Sequence, residues 1–428
     1  MSNEKITSEA LLARRSVLGA AYRLFYNEPV APVKGEGVWL EDIDGRRYLD
    51  AYNNVPVVGH CNPAVVEALN RQAATLNTHT RYLHPGVLTY AERLLNYFPD
   101  QLDNIMFTCT GSEANDLALR IAQQATGRRG LIVTENAYHG VTQALAEMSP
   151  SLCAVGPHVR TVPTPCQFTG SPDVVASSFA AAVDRAAVEL EKAGTPVAAL
   201  MVDTVFASDG LHIASDQSLA LAAGVVRKHG GLFIADEVQG GFARVGHSWW
   251  AFERDNVVPD MVSMGKPMGN GHPIAGLVVQ SHLLDSFGRA CRYFNTFGGN
   301  TVSAAVGLAV LEELERINAP AHVAKIGGLM QAGLTALSER YACVAAVRGR
   351  GLYWGVDISS SCEDPLKASQ MTQQIVNGLR KMGVLIGTAG RYGTTLKIRP
   401  PLIFQPEHVD ILMHALDEQC KVNSSTTF

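Results

Sequence analysis

The chain has no C-x-x-C pair and no uninterrupted apolar run of about 18 residues. Neither a zinc ribbon nor a membrane-spanning helix is therefore expected. Its eight cysteines, at 61, 109, 153, 166, 291, 343, 362 and 420, are scattered, which argues against a disulfide framework. No export signal is expected either. The stretch ARRSVLGAAYRL at 13–24 starts like a twin-arginine leader, but Tyr22 and Arg23 break its apolar run, and an amphipathic helix over 8–24 is the better reading. Free thiols without an export signal suit a reducing cytoplasm. Charge is sparse: 18% of residues are charged, the net is −5, and no basic stripe is interleaved with aromatics, which argues against a nucleic-acid partner. His60, His79, His84 and His139 fall at no metal-ligand spacing. Internal repeats and low-complexity linkers are missing, and only the tail KVNSSTTF looks frayed.

What the chain has is core material. Its 428 residues are 47% hydrophobic, enough for a soluble globular protein of about two domains. GVWLEDIDGRRYLDAY (37–52) reads as two short strands joined at Asp44-Gly45, and 63–77 and 86–97 read as helices. From about 104 the texture alternates. NIMFTC, GLIVTE, AALMVDT, GLFIADE and DMVSMG are short apolar runs, each near a helical segment. That pattern predicts an α/β fold with a mainly parallel central sheet, and ligands bind such sheets at the strands' carboxyl ends. Helices over 302–317, 320–340 and 366–382, with VAAVRGRGLYWGVDI and TLKIRPPL, predict a smaller α+β part. The expected division is 1–60 with the small part, 61–305 as the large domain and 306–428 as the small domain.

Two residues raise a chemical question. Lys266 ends an apolar strand among Gly265, Pro267 and Gly269, and Asp236 ends GLFIAD. A lysine in water is an inert cation, but a desolvated one can form an imine with an aldehyde. A carboxylate after four apolar residues is buried and must be paired, in a plain salt bridge or otherwise. Pyridoxal phosphate needs both groups: a lysine for its aldehyde and an acid to keep its ring nitrogen protonated. TCTGSEANDLALRIAQQATG (108–127) offers the phosphate a seat, with Gly111 and Ser112 at a helix start and Ser112 as the expected N-cap. Tyr138, in NAYHG, could lie flat on the ring or belong to the core. GRGLYWG (349–355) has dinucleotide-loop glycines but precedes a strand, and PMGNGH lacks Walker spacing.

TGSEANDLALR, AYHG, ADEVQGGFARVG, SMGKPMGNGHPIAG and TFGGNTVSAA resemble, in order and spacing, the class III (omega) aminotransferases, pyridoxal-phosphate enzymes of fold type I. The resemblance spans nearly the whole chain. It implies that Lys266 holds the cofactor, Asp236 pairs its ring nitrogen and Gln239 approaches its ring hydroxyl. Val238 and Tyr138 would sandwich the ring, and Gly111 and Ser112 would bind the phosphate. Thr296 would reach the cofactor phosphate of a neighbouring subunit in a homodimer. NNVPVVGHCNPAVVEALN, LNTHTRYLHPGVLTYAERL and TLKIRPPL resemble more narrowly the ethanolamine-phosphate phospho-lyase branch. One departure is Asp203-Thr204, where many relatives carry Glu-Pro or Glu-Ser. Arg399 is the expected grip on an anionic head group, with Arg81 and Asn54, beside Asn53, as further candidates. The implied activity is loss of phosphate and ammonia from a phosphorylated primary amine such as phosphoethanolamine. An omega-aminotransferase, an ammonia-lyase acting on an amino-hydroxy-phosphonate and a non-catalytic cofactor binder remain alternatives.

Overall fold

The computed structural model describes residues 7–213, 217–359 and 364–424. Its centre is a seven-stranded sheet with the spatial order Asn104–Thr108, Ala275–Val279, Met261–Met264, Leu232–Asp236, Val197–Asp203, Gly130–Thr134 and Val159–Val162. Ala275–Val279 runs antiparallel to both its neighbours, and the remaining pairings are parallel. The expected α/β class with a mainly parallel central sheet is the observed one. Gly130–Thr134 and Val197–Asp203 are buried at every position, because helices cover both faces of the sheet. Successive side chains sort to opposite faces. Leu200, Val202, Phe233 and Ala235 share a core with Phe179 and Val183 of the Pro172–Lys192 helix and Leu219 of Ser218–Lys228. Ala199, Met201 and Ile234 join Leu117 and Ile121 of Gly111–Thr126 and Leu283 of Ser281–Ala290.

Two four-stranded sheets flank this centre. One is built from Pro32–Glu36, Trp39–Asp42 and Arg47–Asp50, and is closed by Val384–Leu385 in parallel with Arg47–Asp50. The other is antiparallel: Val344–Arg350, Tyr353–Ile358, Thr395–Ile398 and Gly387–Ala389. The turn at Asp44-Gly45 forms as expected. Gly45 has φ of +82°, and Asp42 Oδ1 accepts from the Asp44 and Arg46 N–H groups.

Several sequence expectations need correction. The helix over 8–24 stops at Arg14, followed by a 3-10 turn, Arg15–Leu18, and Gly19 at φ +71°. It buries no residue, so no packed face extends it. The cap of the helix after NIMFTC is Thr110, not Ser112. Thr110 Oγ1 accepts from Glu113 N at 3.1 Å, and Glu113 Oε2 accepts from Thr110 N at 3.0 Å, a reciprocal capping box that starts the helix at Gly111. The strands Ala275–Val279 and Val159–Val162 were not anticipated. Of the tail expected to fray, 421–424 continue the last helix, Pro406–Ser424, and 425–428 lie outside the described residues, as does Cys362. The seven described cysteines are free thiols. No helix among the described residues is long and apolar enough to cross a membrane.

The segment after Asp236 is locked by two fully buried side chains. Trp250 stacks on Phe98 at 4.2 Å between ring centres and donates from Nε1 to Tyr97 O at 2.7 Å. Glu237 accepts from Thr204 Oγ1, Ala251 N and Phe252 N at 2.8, 3.0 and 2.8 Å. Burial outweighs those donors and pushes its carboxyl up to about 7. Trp250→Ala should lower stability by about 3–5 kcal/mol, seen as an earlier urea midpoint. Glu237 is raised above its ordinary 4.5, so its contribution is fully present below about 4.5 and is lost as pH rises through about 7. Glu237→Gln should flatten the stability profile in that window by about 3 kcal/mol, measured as unfolding free energy against pH.

Candidate active site

The carboxyl ends of five parallel strands, at Thr108, Thr134, Asp203, Asp236 and Met264, converge on one edge of the sheet. A cavity of about 300 Å³ opens there. Gly111, Ser112, Tyr138, Asp236, Val238, Gln239 and Lys266, seven of the residues singled out from sequence, line it together. The reason is topological. Each lies just past, or at, a strand end, so in-register parallel pairing from Asp203↔Asp236 to Asp236↔Ser263 brings them to the same level.

Asp236 is the most constrained of these groups, with 4% of its surface exposed. Its Oδ2 accepts from His139 Nδ1 at 2.7 Å and Asn115 Nδ2 at 2.9 Å, and its Oδ1 from Val238 N at 3.1 Å. Burial alone would raise its carboxyl. The His139 bond and charge, followed by the other two donors, outweigh burial and hold it below the usual aspartate range. Oδ1 thus has one protein donor and capacity for a second. Neither His139 nor Asn115 was assigned a site role from the sequence. In sequence His139 raises only the question of a metal ligand, and Asn115 is a buried amide on an otherwise apolar helix face. That polar exception was the available signal.

Lys266 lines the same cavity, partly buried. Burial first, and repulsion from Arg399, lower its amine from the ordinary lysine value; Asp236 and Asp203 oppose this. At the third corner, the Gly111–Thr126 helix presents its first N–H groups, which have no partner within the helix. A Cβ on Gly111 would come within 3.0 Å of Val238 Cγ2, and one on Gly140 within 2.6 Å of Ser112 Oγ. Glycine at both positions keeps the helix start open and close. Tyr138 is partly buried on the wall, and burial raises its phenol.

Asp203, the departure noted in the sequence, turns onto its own loop. It accepts from Val205 N and Ala207 N, both at 3.1 Å. Burial and the neighbouring Asp236 charge raise its carboxyl, so the two acids diverge. Lys397 is buried behind it and donates from Nζ to Ala207 O at 2.8 Å. Burial and the Arg399 charge hold Lys397 well below the ordinary lysine range.

The expected substrate residues divide. Arg399 sits one layer behind the wall, with Nη1 donating to Gln239 Oε1 at 2.6 Å. Asn54 is buried next to the cavity residue Val55, and its Nδ2 has no partner; Asn53 instead shapes the turn, its Oδ1 accepting from Val55 N. Arg81 and Thr296 are exposed and lie outside this cavity; Arg81 stacks on Phe294 at 3.8 Å. His272 also lines the cavity, with Nε2 2.9 Å from Ser303 Oγ, and was not anticipated. Among the described residues no group of three His, Cys, Asp or Glu could hold a metal ion.

Comparison with known proteins agrees with this geometry. The family model for class-III aminotransferases matches residues 24–419. A Drosophila melanogaster protein named alanine–glyoxylate aminotransferase 2-like is 34% identical over 425 residues, covering 96% of this chain and 86% of the relative. The Caenorhabditis elegans ethanolamine-phosphate phospho-lyase homolog 1 is 32% identical, covering 96% and 92%. Among solved structures, an Arthrobacter phospholyase in complex with phosphoethanolamine superposes with a TM-score of 0.93 at 43% identity, covering 96% of this chain and 99% of that one. An amine transaminase from an uncultivated Pseudomonas species, solved in its PLP-bound form, superposes at 0.84 with 25% identity, covering 92% and 95%. The cavity suits pyridoxal phosphate: it combines a lysine amine of lowered basicity, a buried ionised acid with spare acceptor capacity and an open helix start. The chain belongs to the class-III aminotransferase family, whose enzymes work with pyridoxal phosphate.

Proposed function

We propose that this enzyme is a lyase that removes phosphate and ammonia from a phosphorylated primary amine such as phosphoethanolamine. With water, that substrate gives acetaldehyde, ammonia and phosphate. The observation that carries the reading is the crowding of positive charge behind the cavity. Burial first, and the charge of Arg399 after it, lower the basicity of Lys266, Lys397 and buried Arg244, the last to about 9. Arg399 has no carboxylate partner among the described residues, and a guanidinium held in that way suits a phosphate. The Arthrobacter phospholyase solved with phosphoethanolamine, and the name of the C. elegans relative, support the same reading.

Lys266 would hold the cofactor through its amine, Asp236 would face its ring nitrogen and Gln239 its ring hydroxyl. Val238 and Tyr138 would flank the ring, with Gly111 and Ser112 at its phosphate. When bound, pyridoxal phosphate supplies an aldehyde for the substrate amine and a ring that accepts an electron pair from the adjacent carbon. Asp236, kept ionised by His139, Asn115 and Val238 N, would hold a proton on the ring nitrogen. Lys266, released by the substrate amine and of lowered basicity, would take the proton from the substrate carbon bearing nitrogen. Arg399, behind Gln239, would grip the substrate's phosphate, and buried Asn54 would contribute its unpartnered amide from beside Val55.

A homodimer is part of the proposal. Arg81 and Thr296 are exposed, among the exposed apolar residues Tyr82, Leu83, Phe294 and Phe297, and would serve the partner's site. So is a cytoplasmic location, which keeps the free thiols reduced. The name of the Drosophila relative supports a second reading, an aminotransferase passing the amino group to a keto acid or aldehyde.

The holoenzyme incubated with phosphoethanolamine and no keto acid should release phosphate and ammonia over many turnovers. A single turnover that leaves the cofactor as its amine would select the aminotransferase. Lys266→Ala should abolish turnover and end borohydride fixation of the cofactor to the chain. Arg399→Ala should weaken the substrate's transition-state binding by about 2–4 kcal/mol in kcat/KM; unaltered kinetics would reject its role.

A further inference from the structure

Among the described residues, the contacts that hold Arg399 are an amide oxygen, the Tyr353 hydroxyl and an aromatic face, not a carboxylate. Nη1 donates to Gln239 Oε1 at 2.6 Å, and that oxygen also accepts from the buried Tyr353 hydroxyl at 3.0 Å. The guanidinium carbon lies 5.0 Å from the centre of the Tyr52 ring, and Nε is buried without a partner. The two residues are tied through their backbones too, since Arg399 N donates to Ala51 O at 2.9 Å.

Tyr52 is itself held from two sides. Phe25 stacks with it at 5.8 Å and 28° between planes. Gly387 leaves it room, because a Cβ there would come within 2.7 Å of the ring. Phe25 belongs to a segment pinned to the rest of the molecule. Tyr26 Oη donates to Ile386 O at 2.9 Å, Asn27 N to Asn377 Oδ1 at 2.8 Å, and Glu28 pairs with Arg380 at 2.6 Å.

An aromatic face attracts a guanidinium without neutralising it. A carboxylate in the same place would occupy the N–H fork and compete with an incoming anion. The ring fixes the side chain while leaving its charge and remaining donors available, which lowers the ordering cost of binding. We propose that Tyr52, braced by Phe25, is a positioning residue that sets the Arg399 guanidinium for the anionic group of the substrate. This rests on the reading of Arg399 as the anion grip.

The test is steady-state kinetics of the holoenzyme with phosphoethanolamine, or its Kd from the cofactor's absorbance change where turnover is slow. Tyr52→Ala should raise KM about 5- to 30-fold with kcat within about twofold. Tyr52→Phe, which keeps the ring face, should restore KM to within about twofold of the parent, and Phe25→Ala should give a smaller rise than Tyr52→Ala. Tyr52 is 37% exposed, so melting temperatures of both Tyr52 variants should stay near the parent's. An unaltered KM for Tyr52→Ala alongside an impaired Arg399→Ala would overturn the inference and leave the anion grip standing. A Tyr52→Phe as poor as Tyr52→Ala would overturn it as well. An unaltered Arg399→Ala would sink the anion grip itself, and the role of Tyr52 with it.

Discussion

The organisation of the site follows from one buried carboxylate that stays charged. Asp236 sits at the end of the sheet's middle strand, and taking its charge out of water is costly. Three donors from three parts of the chain offset that cost: His139 after the Gly130–Thr134 strand, Asn115 on the helix that begins at Gly111, and the N–H of Val238. Removing any of them would leave a charge less well compensated. The dependence also runs the other way. The same acid orients the His139 ring, and Asn115, which also donates to His139 O at 2.8 Å, ties the helix that carries the open N–H groups to the loop after Thr134.

Around this anion the remaining charges are arranged by exclusion. Asp203 lies one strand away in register, and two ionised acids so close in a low-dielectric interior repel strongly. The donors decide which way each shifts: Asp236, with a histidine and an amide, is lowered, and Asp203, with only backbone N–H groups, is raised. On the cationic side, burial first and the charge of Arg399 after it lower the basicity of Lys266 and Lys397. A lysine amine of lowered basicity suits both imine chemistry and proton abstraction.

The central sheet was legible in sequence because buried parallel strands leave a simple trace, short apolar runs at regular distance from helical segments. The antiparallel Ala275–Val279 left a weaker one, since AGLVV follows the lysine loop directly and no helix separates it from Met261–Met264. Thr110 and Ser112 are both good caps, so sequence alone places the helix start two residues late. The choice fell to Glu113, whose carboxylate reaches back to the N–H groups of Cys109 and Thr110. The N-terminal helix was overextended because periodicity measures amphipathicity, and not whether a partner surface exists to receive it.

The identity of the chemistry was written locally. A lysine and an acid at successive strand ends, and glycine before serine at a helix start, are properties of short segments, and strand and helix periodicity alone brings them to one edge. What only the tertiary structure decided is the company those groups keep. His139 belongs to the acid and not to a metal. Arg399 stands behind Gln239 against the face of Tyr52, and Lys397 is forced toward neutrality by burial and by the charge of Arg399. Burial and charge–charge interactions depend on distance through space, which sequence spacing does not record, so the functional state of each titratable group emerges only once the strands are in register.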